Sequence, residues 1–94
     1  MSLVVAKFGG SSVASIEKIK NIACRVRDMK MKGQQVVVVV SAMGDTTDDL
    51  IQLAGATGEF LNGREMDMLL ATGEQQSAAL LALTLNNLGC PAVS

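Results

Sequence analysis

Leu3-Val4-Val5-Ala6-Lys7-Phe8-Gly9-Gly10-Ser11-Ser12-Val13 is the stretch around which the rest of the chain is organised. Three apolar residues, a small one, Lys7 and Phe8 read as a strand, closed by Gly9-Gly10. From Ile16 to Met29 the period becomes helical. Ile16, Ile19, Ile22, Ala23, Val26 and Met29 fall on an arc of roughly 140° at about 100° per residue, and Glu17, Lys18, Asn21, Arg25 and Asp28 lie outside it. Ser12 or Ser15 can cap the start, and Gly33 supplies the stop. Gln35–Ser41 then carries a valine run, Val36 to Val40, without polar alternation, which predicts a strand covered on both faces, as in a parallel sheet. Strand, helix, strand in about forty residues is a βαβ unit.

Beyond it, Ala42-Met43-Gly44-Asp45-Thr46-Thr47-Asp48-Asp49 reads as a polar loop leading into a short helix that ends near Ala56. Thr57-Gly58 and Asn62-Gly63 bracket a turn, followed by a brief helix from Arg64 to Ala71. Thr72-Gly73-Glu74-Gln75 has capping-box spacing and opens a further helix, with Ala78, Ala79, Leu80, Leu81, Ala82, Leu83, Leu85 and Leu88, stopped at Gly89. That helix is apolar nearly all round and predicts burial within the molecule or against a partner. Pro91-Ala92-Val93-Ser94 reads as the approach to a third strand. The expected fold class is therefore α/β, a parallel sheet with helices on both faces that is incomplete in this chain, in one domain over residues 1–94. An incomplete sheet edge and an apolar helix predict self-association, a homo-oligomer, or a missing remainder.

Composition narrows the function classes. Of the 94 residues, 49% are hydrophobic, enough for one modest core, and 8 basic against 9 acidic residues leave a net charge of −1. That balance gives no electrostatic case for nucleic acid or an anionic membrane as partner. Histidine is absent and Cys24 and Cys90 are far apart, so no metal site is expected and free thiols in a reducing cytoplasm are. No apolar run approaches the ~20 residues of a membrane span, and the N-terminus has no signal-peptide pattern.

Three places can carry chemistry. At Lys7 to Ser12, the glycines allow phosphate oxygens to approach main-chain N–H groups, the following helix adds about half a positive charge, and Lys7 adds a full one. Neither G-x-x-x-x-G-K-[ST] nor G-x-G-x-x-G is present, so P-loop and dinucleotide readings fail on spacing. The plainer alternative is a tight turn with Lys7 reaching solvent. Ser41, Gly44, Asp45, Thr46, Thr47 and Asp48 lie at the carboxyl end of the second strand, where α/β sheets bind ligands, and a simple helix cap by Asp45, Thr46 or Thr47 is the alternative there. Glu74 is the third candidate, with a favourable helix-dipole position as its alternative. Without histidine or a nucleophile dyad, activation of a hydroxyl is poorly supported. Phosphoryl transfer to a carboxylate needs no base, because a carboxyl of pKa about 4 is ionised at neutral pH.

Read together, Lys7-Phe8-Gly9-Gly10-Ser11-Ser12-Val13, Val40-Ser41-Ala42-Met43-Gly44-Asp45-Thr46-Thr47-Asp48 and Leu70-Ala71-Thr72-Gly73-Glu74-Gln75-Gln76-Ser77 resemble the start of the aspartate kinases, within the amino-acid kinase family. The resemblance runs from Val4 to Ser94, with Ser11 where the family often has threonine. It implies an ATP- and Mg-dependent phosphorylation of the side-chain carboxylate of L-aspartate to 4-phospho-L-aspartate, the first step towards lysine, threonine, methionine and isoleucine. By the same resemblance Lys7, Phe8, Gly9 and Gly10 hold the ATP phosphates, Lys7 stabilises the transferred group, and Ser41 faces the nucleotide. Asp45, Thr47 and Glu74 then form the aspartate pocket, the glutamate pairing with the substrate ammonium. The family's kinase domain is much longer and normally carries regulatory ACT domains, none of which is present here, so a chain inactive by itself is expected. Two rival expectations stand beside it: a non-catalytic self-associating module, and a relative with another acceptor.

Overall fold

The computed structural model describes residues 2–94. Strand β1 (Leu3–Phe8) passes through a four-residue 3-10 turn (Gly10–Val13) into helix α1 (Ile16–Met31), which returns the chain to strand β2 (Gln35–Val40). Helices α2 (Thr46–Gly55) and α3 (Gly63–Asn87) follow. The strands pair in parallel from Leu3 opposite Gln35 to Phe8 opposite Val40, so the expected βαβ unit is present and both strands end at one edge.

Local signals set the boundaries of α1. The Ser15 side chain accepts from the Lys18 N–H at 3.2 Å, so of the two candidate caps Ser15 is the one used. At the other end Gly33 takes φ +87°, its N–H donates to the Lys30 carbonyl at 3.0 Å, and Gln34 N–H reaches the Met29 carbonyl at 3.3 Å. This Schellman stop needs a left-handed residue, which glycine adopts without a Cβ penalty. Ile19, Ile22, Ala23 and Val26 form the buried face, whereas Ile16, at the end of the expected stripe, is exposed. Burying each isoleucine contributes about 1.5–3 kcal/mol.

The core lies between the sheet and two helices. Phe8, Val13, the α1 face, Leu81 and Leu85 are buried together, with Ala6, Val36, Val38 and Val40 packed against them. Among the described residues the valine strand is covered on this face alone. Val37 and Val39 are exposed on the other, beside Leu3 and Val5, so the two-sided cover expected from the valine run is not met within this chain. Alternation of exposure along β2 comes from the pleat, which turns successive side chains to opposite faces whatever their chemistry.

A second difference concerns the C-terminal half. The two expected helices, broken at Thr72, are one helix of 25 residues, about 37 Å long. Asn62 is its cap, accepting from the N–H groups of Arg64 at 2.9 Å and Glu65 at 3.3 Å. The Thr72 hydroxyl instead donates back to the Leu69 carbonyl at 2.6 Å, within a turn already formed. A capping signal contributes about 1 kcal/mol and cannot restart a helix that has propagated from upstream. Leu81 and Leu85 are buried on α3, but Met68 and Leu83 are exposed, so the apolar helix is covered on one side. No helix among the described residues is long and apolar enough to cross a membrane. Both Cys24 and Cys90 are free and half-buried.

One continuous α3 has a measurable consequence. Asn62→Ala should lower stability by about 1 kcal/mol, whereas Thr72→Ala should change it by less than about half that. Urea denaturation of both variants checks this, and the reverse ranking would restore a helix start at Thr72.

Candidate active site

The level ends of β1 and β2 bring the first two polar segments side by side. The ladder extends one bond past Val40, with Ser41 N–H donating to the Phe8 carbonyl at 3.2 Å, and Gly44 N–H donates to the Gly10 carbonyl at 3.3 Å. Gly10 lies so close to the second segment that a Cβ there would sit 3.3 Å from the Ala42 carbonyl oxygen. The third segment joins through Gly73 of α3. A Cβ on Gly73 would meet Ala42 Cβ at 3.0 Å and Thr46 Cγ2 at 3.2 Å, so any larger residue there would need these neighbours to give by a few tenths of an ångström. Ala42, buried between Gly10 and Gly73, is the residue on which all three segments meet.

The candidate residues lie within these three segments or next to them in the chain. Lys7 is exposed, one residue before the end of β1 and on the sheet face away from the helices. Phe8 points the other way, with its ring buried in the core and its carbonyl accepting from the Ser41 N–H. Gly9 is exposed with no heavy atom within 4 Å of where a Cβ would be, and Gly10 is half-buried. Ser41 is half-buried; Asp45, Thr47 and Glu74 are exposed. Asp45 occupies the cap position of α2, yet its side chain makes no capping bond, so the plain capping role is not taken. Glu74 is mid-helix rather than in a first turn, which removes the helix dipole as the reason for a carboxylate there. Among the described residues the side chains of Lys7, Asp45, Thr47 and Glu74 make no hydrogen bond or ion pair.

The model of the amino acid kinase family matches residues 2–94. The chain belongs to the amino acid kinase family. It is 57% identical over 94 residues to "Aspartokinase 2" of Bacillus subtilis and 56% identical to "Aspartokinase" of Geobacillus stearothermophilus, covering all of this chain and 23% of each relative. The crystal structure of aspartate kinase from Synechocystis superposes with a TM-score of 0.95 at 49% identity, over 98% of this chain and 16% of that one. The chain thus spans about a quarter of the length of the two curated relatives and about a sixth of the Synechocystis chain.

Within this amino acid kinase chain, Ala42 and Gly73 escaped sequence reasoning as site-building residues, and so did Lys18 and Arg25. The Lys18 ammonium donates to the Ser11 carbonyl at 3.0 Å, and the Arg25 guanidinium lies 5.3 Å over the Phe8 ring. A glycine inside a helical pattern was the available signal for a close approach at position 73. Nothing in local spacing distinguishes Lys18 from a solvated lysine.

The Gly73 contact sets a stability test. Gly73→Val adds a branched side chain against Ala42 and Thr46 and should cost about 1–3 kcal/mol, while Gly9→Ala, which meets open space, should stay within about 0.5 kcal/mol of the parent. Thermal unfolding of the two variants measures the difference.

Proposed function

We propose that the chain forms the phosphate-binding and acceptor-binding part of an aspartate kinase, which transfers the γ-phosphoryl group of ATP to the side-chain carboxylate of L-aspartate. The observation that carries this reading is the meeting of three segments on Ala42, segments that carry or adjoin Lys7, Asp45, Thr47 and Glu74 in the chain. The relatives' names support the choice of acceptor within the family.

In this reading Gly9 and Gly10 present main-chain N–H groups to the phosphate oxygens, and Lys7 neutralises charge on the transferred group. Ser41 lies on the nucleotide side. Thr47 and Asp45 line the acceptor side, and Glu74 binds the aspartate ammonium as a charge-assisted pair. The acceptor carboxylate oxygen bonds to the γ-phosphorus as the bond to the β,γ-bridging oxygen breaks, and ADP leaves with the electron pair. No proton has to be removed, in keeping with a chain that has no histidine. Among the described residues no cluster of three or more acidic, cysteine or histidine side chains can cage a metal. Mg fits as an ion carried on the nucleotide phosphates, its usual mode in kinases.

Grafting residues 1–94 in place of the matching segment of the Bacillus subtilis relative tests the assignment. The chimera should form ADP in the presence of aspartate. Lys7→Ala should lower kcat about 100-fold or more, and Glu74→Ala should mainly raise KM for aspartate. Normal kinetics in both variants would remove the proposed roles.

One observation favours a second reading, a self-associating module: Leu3, Val5, Val37 and Val39 form an exposed apolar sheet face. Sedimentation and calorimetry of the chain separate the two, since concentration-dependent oligomers without Mg-ATP binding would favour the module.

A further inference from the structure

We propose that Lys18, with Arg25, is a positioning residue of the phosphate-binding turn, bracing Phe8 to Ser12 from the outer side of α1; the role rests on the phosphate-binding reading above. Lys18 stands in the first turn of α1, where a cation opposes the helix dipole. Helix energetics therefore do not account for it. Its main-chain N–H is held by the Ser15 side chain at 3.2 Å, and its ammonium reaches back seven residues to donate to the Ser11 carbonyl at 3.0 Å.

That carbonyl belongs to the same peptide unit as the Ser12 N–H, which donates to the Gly9 carbonyl at 3.0 Å. The unit is thus held at both ends. The preceding unit is held by Gly44 N–H on the Gly10 carbonyl at 3.3 Å. What the turn leaves over are the N–H groups of Gly10 and Ser11, because the first donors of a helical turn have no partner inside it. Fixing the carbonyls fixes the direction of these donors. Arg25 lies two helical turns beyond Lys18 and so on the same side, and its guanidinium covers the ring of Phe8, the residue from which the turn departs. Ser11, Ser12, Lys18, Asn21, Ile22 and Arg25 line one shallow open pocket without an acidic residue.

Backbone 15N relaxation on the 94-residue chain, followed by titration with inorganic tripolyphosphate, tests the brace. Lys18→Met should drop the order parameters of Gly10, Ser11 and Ser12 from the rigid value of about 0.85 to below about 0.6, with β1 and the rest of α1 unchanged. Lys18→Arg, which keeps a donor of similar reach, should restore them. Arg25→Met should give a smaller drop centred on Phe8 and Gly9. Lys20→Met removes the same charge from an exposed position on α1 that makes no hydrogen bond or ion pair among the described residues, and should leave the turn as it is. Tripolyphosphate should shift the Gly9 to Ser12 amides, about tenfold more weakly in Lys18→Met and within twofold of the parent in Lys20→Met. Unchanged order parameters in Lys18→Met, or equal weakening in Lys18→Met and Lys20→Met, would overturn the proposal. A parent chain whose turn amides ignore tripolyphosphate would overturn the phosphate reading instead, while the relaxation comparison still decides the brace.

Discussion

Parallel pairing that ends level, with Phe8 opposite Val40, is the constraint on which the rest of the structure depends. Two parallel strands joined by a helical crossover send both following segments out at one edge, whereas an antiparallel pair would place them at opposite ends. Gly9-Gly10 and Ser41–Asp45 are neighbours for this reason, and the bond from Ser41 N–H to the Phe8 carbonyl carries the pairing one step into the site. The crossover helix is held at that spacing by Ile19, Ile22, Ala23 and Val26, which bury against Phe8 and the inward valines.

Small residues then decide how near the segments come. Gly10 and Gly73, which have no side chain, pack against Ala42, whose side chain is a single methyl, and the Gly44 N–H donates to the Gly10 carbonyl beside them. A glycine inside a helix costs about 1 kcal/mol relative to alanine, and at Gly73 that cost is offset by the close seat of α3 on Ala42 and Thr46. Lys7, Asp45, Thr47 and Glu74 are exposed and make no hydrogen bond or ion pair among the described residues, the condition in which they can meet a ligand. The basic side of α1 works in the opposite sense. Lys18 and Arg25 spend their charge on the turn itself, on the Ser11 carbonyl and the Phe8 ring.

The sheet's second face has a different character. Leu3, Val5, Val37 and Val39 stand exposed beside Lys7, so the proposed phosphate-binding lysine borders an apolar surface. A charge beside such a surface is less screened once that surface is covered, because the effective dielectric falls. Cover over this face and electrostatic strength at Lys7 are physically linked.

By itself the sequence determined β1, the start and most of the buried face of α1, β2 and the parallel α/β class. Each of these rests on a signal complete within a few residues: a helical period, a serine cap at Ser12 or Ser15, a left-handed glycine at Gly33, a valine run. The three motif segments were legible too, as candidates whose company remained open. Only the tertiary structure decided that α3 is continuous through Thr72, that the helices cover one sheet face, and that the segments meet on Ala42. It also turned Lys18 from a solvated charge into a bond on Ser11. Those outcomes compare a local preference of about 1 kcal/mol with contacts between residues far apart in the chain, and no window of sequence holds both sides of that comparison.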